Sequence, residues 1–351
     1  MGLRLRKSFT ICKGVKVDLG KNGPSVSFGT GGLRQIINLN GKKSASSAPG
    51  AGIPYATNPS LNKISPEVVI SEPKGFSKDN RIAVQEYDRM IETIRGIHKY
   101  ADDEIDWNIV YNSPEPFNIN AIGPKGKLAK EKLNSYEPSV SEKILKFKLD
   151  KKLNEFKADV KRSMQEDEEL YDGWRNLVDL AGKIMQGDID SYFEVINEMK
   201  PLDDLLEFGI DFEFGANSSD KMHVEFIINY KDIVPYFELS LTQNGKLSKR
   251  NLTKTEYYKL VKDYISSSAI RIARDMFALL PVEKTVVHIV EDYLDTQTGD
   301  REKITVLSVE FDRQKLNSLN LDSIDPSDAI NNFKHNIKFL KMAGLKEVER
   351  I

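Results

Sequence analysis

The chain has 351 residues, 40% hydrophobic and 30% charged, which suits a soluble globular protein of one to three domains. Cys12 is the only cysteine, so an internal disulfide is excluded and a reducing compartment fits; no apolar run approaches the roughly 18 residues of a membrane span. The net charge of −2 hides an asymmetry: residues 1–66 hold ten basic residues against one acid, Asp18, for +9, while the remainder is −11. A basic segment of this kind meets either a polyanion or the chain's own acidic body.

The amino-terminal segment reads as short strands. Leu3 and Leu5 alternate with Arg4 and Arg6, and Val15, Val17 and Leu19 alternate with Lys16 and Asp18, the period of a half-buried strand. Asn22-Gly23 and Asn40-Gly41 are hairpin signals, because both residue types tolerate positive φ. Val26, Phe28 and the Ile36–Leu39 run supply further strands. Residues 1–57 are therefore predicted to form a small antiparallel β-module, and 58–80 a linker. A helical region follows over 81–200. Its first helix, about 80–101, carries Ile91, Ile94 and Ile97 on one face; residues 102–138, with Pro114, Pro116, Pro124 and Pro138, read as an extended connection. A helix starting at Ser139 or Ser141 has a heptad-like seam of Leu149, Leu153, Phe156 and Val160. A third, about 170–186, holds Trp174, Leu177 and Ile184, and a fourth is capped by Asp188.

Residues 202–351 are the best patterned. Ile210, Phe212 and Phe214 alternate with Asp211 and Glu213; Met222, Val224, Phe226 and Ile228 alternate with His223 and Glu225; Phe237, Leu239 and Leu241 make a third strand turning at Asn244-Gly245. Thr253 and Glu256 form a capping box for a helix that Pro281 stops near Leu280. Thr285–Leu294 and Ile304–Phe311 flank a turn at Thr298-Gly299, and Asp325-Pro326 opens a last helix with Ile330, Phe333, Ile337 and Leu340 on its apolar face. The order β-β-β-α-β-β-α predicts a two-layer domain, one mostly antiparallel sheet with two helices on a face, and the whole chain is of the α+β class.

The amino-terminal residues Arg6-Lys7-Ser8, Gly14-Val15-Lys16-Val17 and Leu19-Gly20-Lys21-Asn22-Gly23-Pro24-Ser25-Val26-Ser27-Phe28-Gly29 carry a resemblance, closed by Pro49-Gly50-Ala51-Gly52-Ile53-Pro54-Tyr55. Over about residues 1–57 the chain resembles a bacterial domain of unknown function, the family numbered forty-two thirty-six. It departs from that pattern at Lys13, Ala51 and Pro54. The remainder resembles the tail of longer members at Trp107, Gly187-Asp188, Ala278-Leu279-Leu280-Pro281 and Asp325-Pro326-Ser327-Asp328-Ala329. The resemblance implies a bacterial protein but no reaction, cofactor or active site.

Read from the residues, the glycines at 20, 23, 29, 31, 32 and 41 precede no helix and lack a Gly-Lys-Ser/Thr signature, so they are turn glycines rather than a nucleotide loop. Arg4, Arg6, Lys7, Lys13, Lys16, Lys21 and Arg34 are the candidate polyanion-binding residues, with nucleic acid or another charged surface as partner. Their alternative roles are a solubilising surface or docking on the acidic body. Asp211, Glu213, His223 and Glu225 fall on the non-core faces of two strands, where a His-plus-carboxylate metal site could assemble, but a one-sided sheet gives the same alternation. No metal, cofactor or catalytic residue is assigned. His98, His288 and His335 lack metal-ligand spacing, and Cys12 has no histidine near it in sequence. The leading expectation is a cytoplasmic, non-enzymatic binding or adaptor protein whose basic module contacts a polyanion or a partner protein. The alternatives are a metal-dependent hydrolase or nuclease using the sheet-face carboxylates, and a purely structural module.

Overall fold

The computed structural model describes residues 80–294 and 298–351 and, ahead of them, four strands. These are β1 (Lys7–Cys12), β2 (Val15–Gly20), β3 (Gly23–Phe28) and β4 (Gln35–Asn38), which pair in chain order as an antiparallel meander. Their register sets Val17 opposite Phe9 and Val26, and Val26 opposite Ile37. The expected strand at Leu3–Leu5 and the Asn40-Gly41 turn lie outside the described residues.

Contacts divide the chain into two compact units. One contains the four strands and residues 103–199; the other contains 80–102 and 200–351. The helix α1 (Asn80–Gly96), extended by a 3-10 turn over Ile97–Tyr100, belongs to the second of these.

In the unit with the four strands, the predicted extended connection contains two helices, α2 (Trp107–Tyr111) and α3 (Pro124–Asn134). Proline was the misleading signal. Pro124 sits in the first turn of α3, where its missing N–H costs no hydrogen bond and its fixed φ suits a helix start. After the short α4 (Val140–Ile144), the two helices expected on either side of residue 170 are one 40-residue helix, α5 (Lys146–Met185). Its carboxy-terminal half buries Leu170, Leu177, Leu180 and Ile184, and α6 (Ile189–Met199) follows with Tyr192, Val195, Ile196 and Met199 buried. Asp188 caps α6 as expected, its carboxylate accepting from the N–H and hydroxyl of Ser191.

In the other unit, α1 is followed by β5 (Asp211–Ser218), β6 (Lys221–Ile228), a single turn α7 (Tyr230–Ile233), β7 (Phe237–Leu241) and β8 (Leu247–Asn251). Next come the long helix α8 (Lys254–Leu279), β9 (Lys284–Leu294), β10 (Arg301–Asp312), the short helices α9 (Arg313–Asn317) and α10 (Pro326–Ala329), β11 (Lys334–Leu340) and β12 (Gly344–Lys346). The main sheet has six strands in the order β12-β11-β10-β9-β6-β5, antiparallel except where β6 meets β9. That parallel pair requires a crossover, and α8 supplies it. The chain is thus of the predicted α+β class, with two differences in order. The third predicted strand leaves the main sheet and pairs with β8 alone. The last predicted helix opens at the Asp325 cap as expected but runs only through α10 and a 3-10 turn over Ile330–Asn332; its continuation is the strand β11, where His335, Ile337 and Phe339 alternate with exposed Lys334, Asn336, Lys338 and Leu340, and the period of two prevails.

The Thr253–Glu256 capping box starts α8. The helix then loses its polar face: Leu260, Val261, Tyr264, Ile265, Ala269, Ile270, Ile272, Ala273 and Met276 are all buried. The reason is cover on two sides, the sheet at β9 and α1 with its 3-10 turn. Each large apolar side chain so buried contributes about 1.5–3 kcal/mol.

Candidate functional site

The face of the main sheet turned away from α8 carries the polar residues singled out in the sequence. Pairing sets Glu213 on β5 opposite Glu225 on β6, and His223 opposite Gly215. On the next strand His288 stands beside Glu225, on β10 Ser308 stands opposite His288, and on β11 Asn336 stands opposite Ser308. A polar row Glu213–Glu225–His288–Ser308–Asn336 therefore crosses five strands. Cross-strand partners share a face, so this convergence follows from register alone.

Residues 348–351 lie over the row and hydrogen-bond to it. Val348 N–H donates to Thr305 O at 2.9 Å, and Asn336 Nδ2 donates to Glu349 O at 2.9 Å. Arg350 Nε donates to Thr305 Oγ1 at 3.0 Å, and its guanidinium grips Glu225 with both terminal nitrogens, Nη1 on Oε1 and Nη2 on Oε2. Ile351 N–H donates to the Ser308 hydroxyl at 3.0 Å. Under this cover His288 is buried, with Nδ1 2.9 Å from Ser308 Oγ. Burial, aided by the Arg350 charge, pushes the His288 imidazole down to about 4. Burial and Lys221 lower His223 as well, so both rings, 6.1 Å apart between centroids, are neutral at pH 7. Beside them Lys221 and Lys284 share the Glu310 carboxylate at 2.7 and 3.3 Å, which holds that carboxyl below its usual range.

Of the four sequence candidates for metal, Glu213 and Glu225 stand in the row and His223 stands beside it, but only His223 and Glu225 are even partly buried. Asp211 and Glu213 are exposed on the edge strand β5. Both oxygens of Glu225 accept from Arg350, whose positive charge opposes a cation at the same carboxylate. Among the described residues no three His, Cys, Asp or Glu side chains come together as a metal site. Sequence reading missed Ser308, Asn336 and Arg350. His288, set aside there for want of metal-ligand spacing, is buried on the polar face.

A second polar cluster is internal. His98, in the 3-10 turn after α1, has Nε2 3.1 Å from Leu321 O and Nδ1 2.8 Å from Ser267 Oγ. A carbonyl only accepts, so Nε2 carries the proton, and the single Ser267 hydroxyl proton is shared between Nδ1 and Arg95 O, which lies 3.1 Å from Oγ. Burial drives this imidazole down to about 4. One turn further along α8, the buried Arg271 donates to Asp275 and, at 3.3 Å, to Asp204, while Asp102 N–H donates to Asp275 at 2.9 Å. Burial pushes the Asp275 carboxyl up against the pull of Arg271. Ser267 and His98 are both buried and held by backbone groups, so the pair ties α1 to α8.

Of the seven basic candidates, Arg4, Arg6, Lys13, Lys21 and Arg34 lie outside the described residues. Lys7 and Lys16 stand on β1 and β2. Lys7 pairs with Leu19 and shares the face of Phe9; Lys16 pairs with Thr10 and lies on the opposite face. The sheet thus separates these two positions.

Residues 3–56 match a family model described as a protein of unknown function, DUF4236, the family the amino-terminal motifs suggested. No curated protein matches the chain, and no solved structure does. Among the described residues no helix is long and apolar enough to cross a membrane.

Proposed function

We propose that the protein is a non-enzymatic binding or adaptor protein whose basic amino-terminal module recognises a polyanion, working in the bacterial cytoplasm. The observation that carries this reading is the charge of +9 over residues 1–66, set against −11 in the rest. With no base-reading motif in the segment, recognition is of charge and carries little sequence preference. Each phosphate neutralised releases counterions, so affinity for duplex DNA falls with salt at a log–log slope of about −0.9 per phosphate contacted. Titrating the full chain against DNA and RNA over a salt series tests this. Arg4→Ala with Arg6→Ala should weaken binding and flatten the slope by at most roughly two. No binding at low salt refutes the proposal.

A second reading, that the module serves its own chain, has one observation in its favour. Strand β1 lies beside α6, and α6 exposes Asp190, Glu194 and Glu198 at four-residue spacing with no basic residue in between. Residues four apart share a helix face, so this stripe is acidic. On this reading the full chain ignores polyanions, and Asp190→Asn with Glu194→Gln and Glu198→Gln uncovers binding.

A further inference from the structure

The amino-terminal end of α5 leaves a cluster of apolar side chains in water. Helix α3 lies against α5, and beyond its end the Tyr136 ring stands 4.9 Å from that of Phe156; Leu149, Leu153 and Phe156, the seam on α5, are half-buried. Beyond that seam α4 turns back into α5. Ser139 fixes the turn, its N–H and hydroxyl both donating to the Glu142 carboxylate at 2.9 and 2.7 Å, and the helix breaks at Leu145 before restarting. Four apolar residues are exposed there: Phe147 at 81%, Val140 at 75%, Ile144 at 74% and Leu145 at 48%. Phe147 precedes Leu149 by two residues, about 200° around the helix, so it points away from the seam and is no half-covered part of the core.

The charges around this tip are mostly positive. Residues 143–162 hold eight basic and three acidic side chains. Lys146, Lys148 and Lys151 are exposed around Phe147, and Lys152 pairs with Glu155 at 3.5 Å. A second copy of the chain placed on the tip by two-fold symmetry would set this positive cluster against itself. A nucleic acid would satisfy the lysines but leave Val140, Ile144 and Leu145, which offer no stacking face, in water. An anionic lipid surface satisfies both sets at once, with headgroups for the lysines and the headgroup–acyl boundary for the apolar residues.

We propose that residues 140–152 dock the protein on anionic membranes, Val140, Ile144, Leu145 and Phe147 entering the interface and Lys146, Lys148 and Lys151 lying among the headgroups. The docking is peripheral and reversible. It uses none of residues 1–66 and so goes beyond the module's binding to polyanions.

The test is co-sedimentation of the full chain with phosphatidylcholine vesicles, with and without phosphatidylserine. Binding is expected only with the anionic lipid, and it weakens with salt. Ile144→Glu with Phe147→Glu should lower vesicle affinity by about tenfold or more, since two inserting side chains are lost. Both residues are exposed, so the melting curve and DNA binding of this variant stay unchanged. In a Phe147→Trp variant, the emission gained over the native tryptophans shifts to the blue on vesicle addition and is quenched by brominated lipid. The inference is overturned if anionic vesicles are not bound at low salt. It is equally overturned if the Glu variant binds them as well as the parent, which assigns the binding to residues 1–66, or if the chain sediments as a dimer that the Glu variant dissociates. Loss of DNA binding in Arg4→Ala with Arg6→Ala, with vesicle binding intact, separates the two proposals.

Discussion

The sharpest quantitative consequence of the covered sheet face concerns His288. Its imidazole titrates at about 4 in the folded chain, against 6.5 for an unperturbed histidine. Below pH 6.5 the unfolded chain takes up a proton that the folded chain refuses, so stability is intact above 6.5 and is lost as the pH falls towards about 4. At about 1.4 kcal/mol per pH unit, the loss over that window is roughly 3 kcal/mol. Asp275, whose carboxyl is raised by burial, titrates in the opposite sense, and His98 adds a loss of the same sign as His288. Both cancel when the parent is compared with His288→Asn. The cost of that substitution, measured by urea unfolding, should therefore shrink by roughly 2–3 kcal/mol between pH 7 and pH 4.5. The ring titration read by NMR should have its midpoint near 4. In Arg350→Ala that midpoint should rise, because a positive charge beside the ring is gone. A cost independent of pH, or a midpoint at 6.5 in the parent, refutes both the burial and the covering role of residues 348–351.

Three further outcomes are expected. Gly344 has φ 73°, and a Cβ there would stand 2.5 Å from the Tyr258 ring, so Gly344→Ala should cost roughly 2–3 kcal/mol in thermal unfolding; an unchanged melting temperature refutes the close approach. The buried Asp167 accepts from Lys125 N–H and Gly126 N–H at 3.1 and 2.7 Å at the start of α3, so Asp167→Ala should destabilise by about 1–3 kcal/mol, whereas a loss below a few tenths would show the cap to be dispensable. Elemental analysis of the purified chain should find no stoichiometric zinc or manganese; one metal per chain, lost in His223→Ala, would promote the hydrolase reading.

Local chemistry was readable in the sequence, and long-range register was not. The Thr253–Glu256 box and the Asp188 cap are written within four residues, and both form as expected. The turn at Asn244-Gly245 forms too, with Gly245 at φ 71°. Pro124 has two opposite meanings, breaker and helix start, and only the cover that Asp167 gives the α3 amino terminus decides between them. Ile330, Phe333, Ile337 and Leu340 fit a helix as well as the strand they form in part, because a short apolar series satisfies both periods. The polar row was half legible: alternation put Glu213, His223 and Glu225 on one face. Which strand adjoins β6 is a tertiary matter, and the neighbour proves to be β9, some sixty residues later and parallel. The contribution of Arg350 carries no local signal at all.

The same geometry weighs against the hydrolase reading on chemical grounds. A general base or metal ligand on this face must offer a free lone pair to solvent or substrate. Glu225 accepts from Arg350 on each of its oxygens, and that guanidinium charge repels a cation and weakens the carboxylate as a base, while His288 is buried with its Nδ1 against Ser308. His223 is partly exposed, but the charges that act on it are Lys221 and Glu310, and Glu310 is already held by Lys221 and Lys284. Activity on this face would thus require residues 348–351 to leave it. Their departure would break the Arg350–Glu225 pair and the backbone bonds to Thr305 and Ser308 together, a cost of several kcal/mol at about 1 kcal/mol or more per bond. A substrate would have to repay that cost on binding, whereas charge recognition by the amino-terminal module requires no such rearrangement.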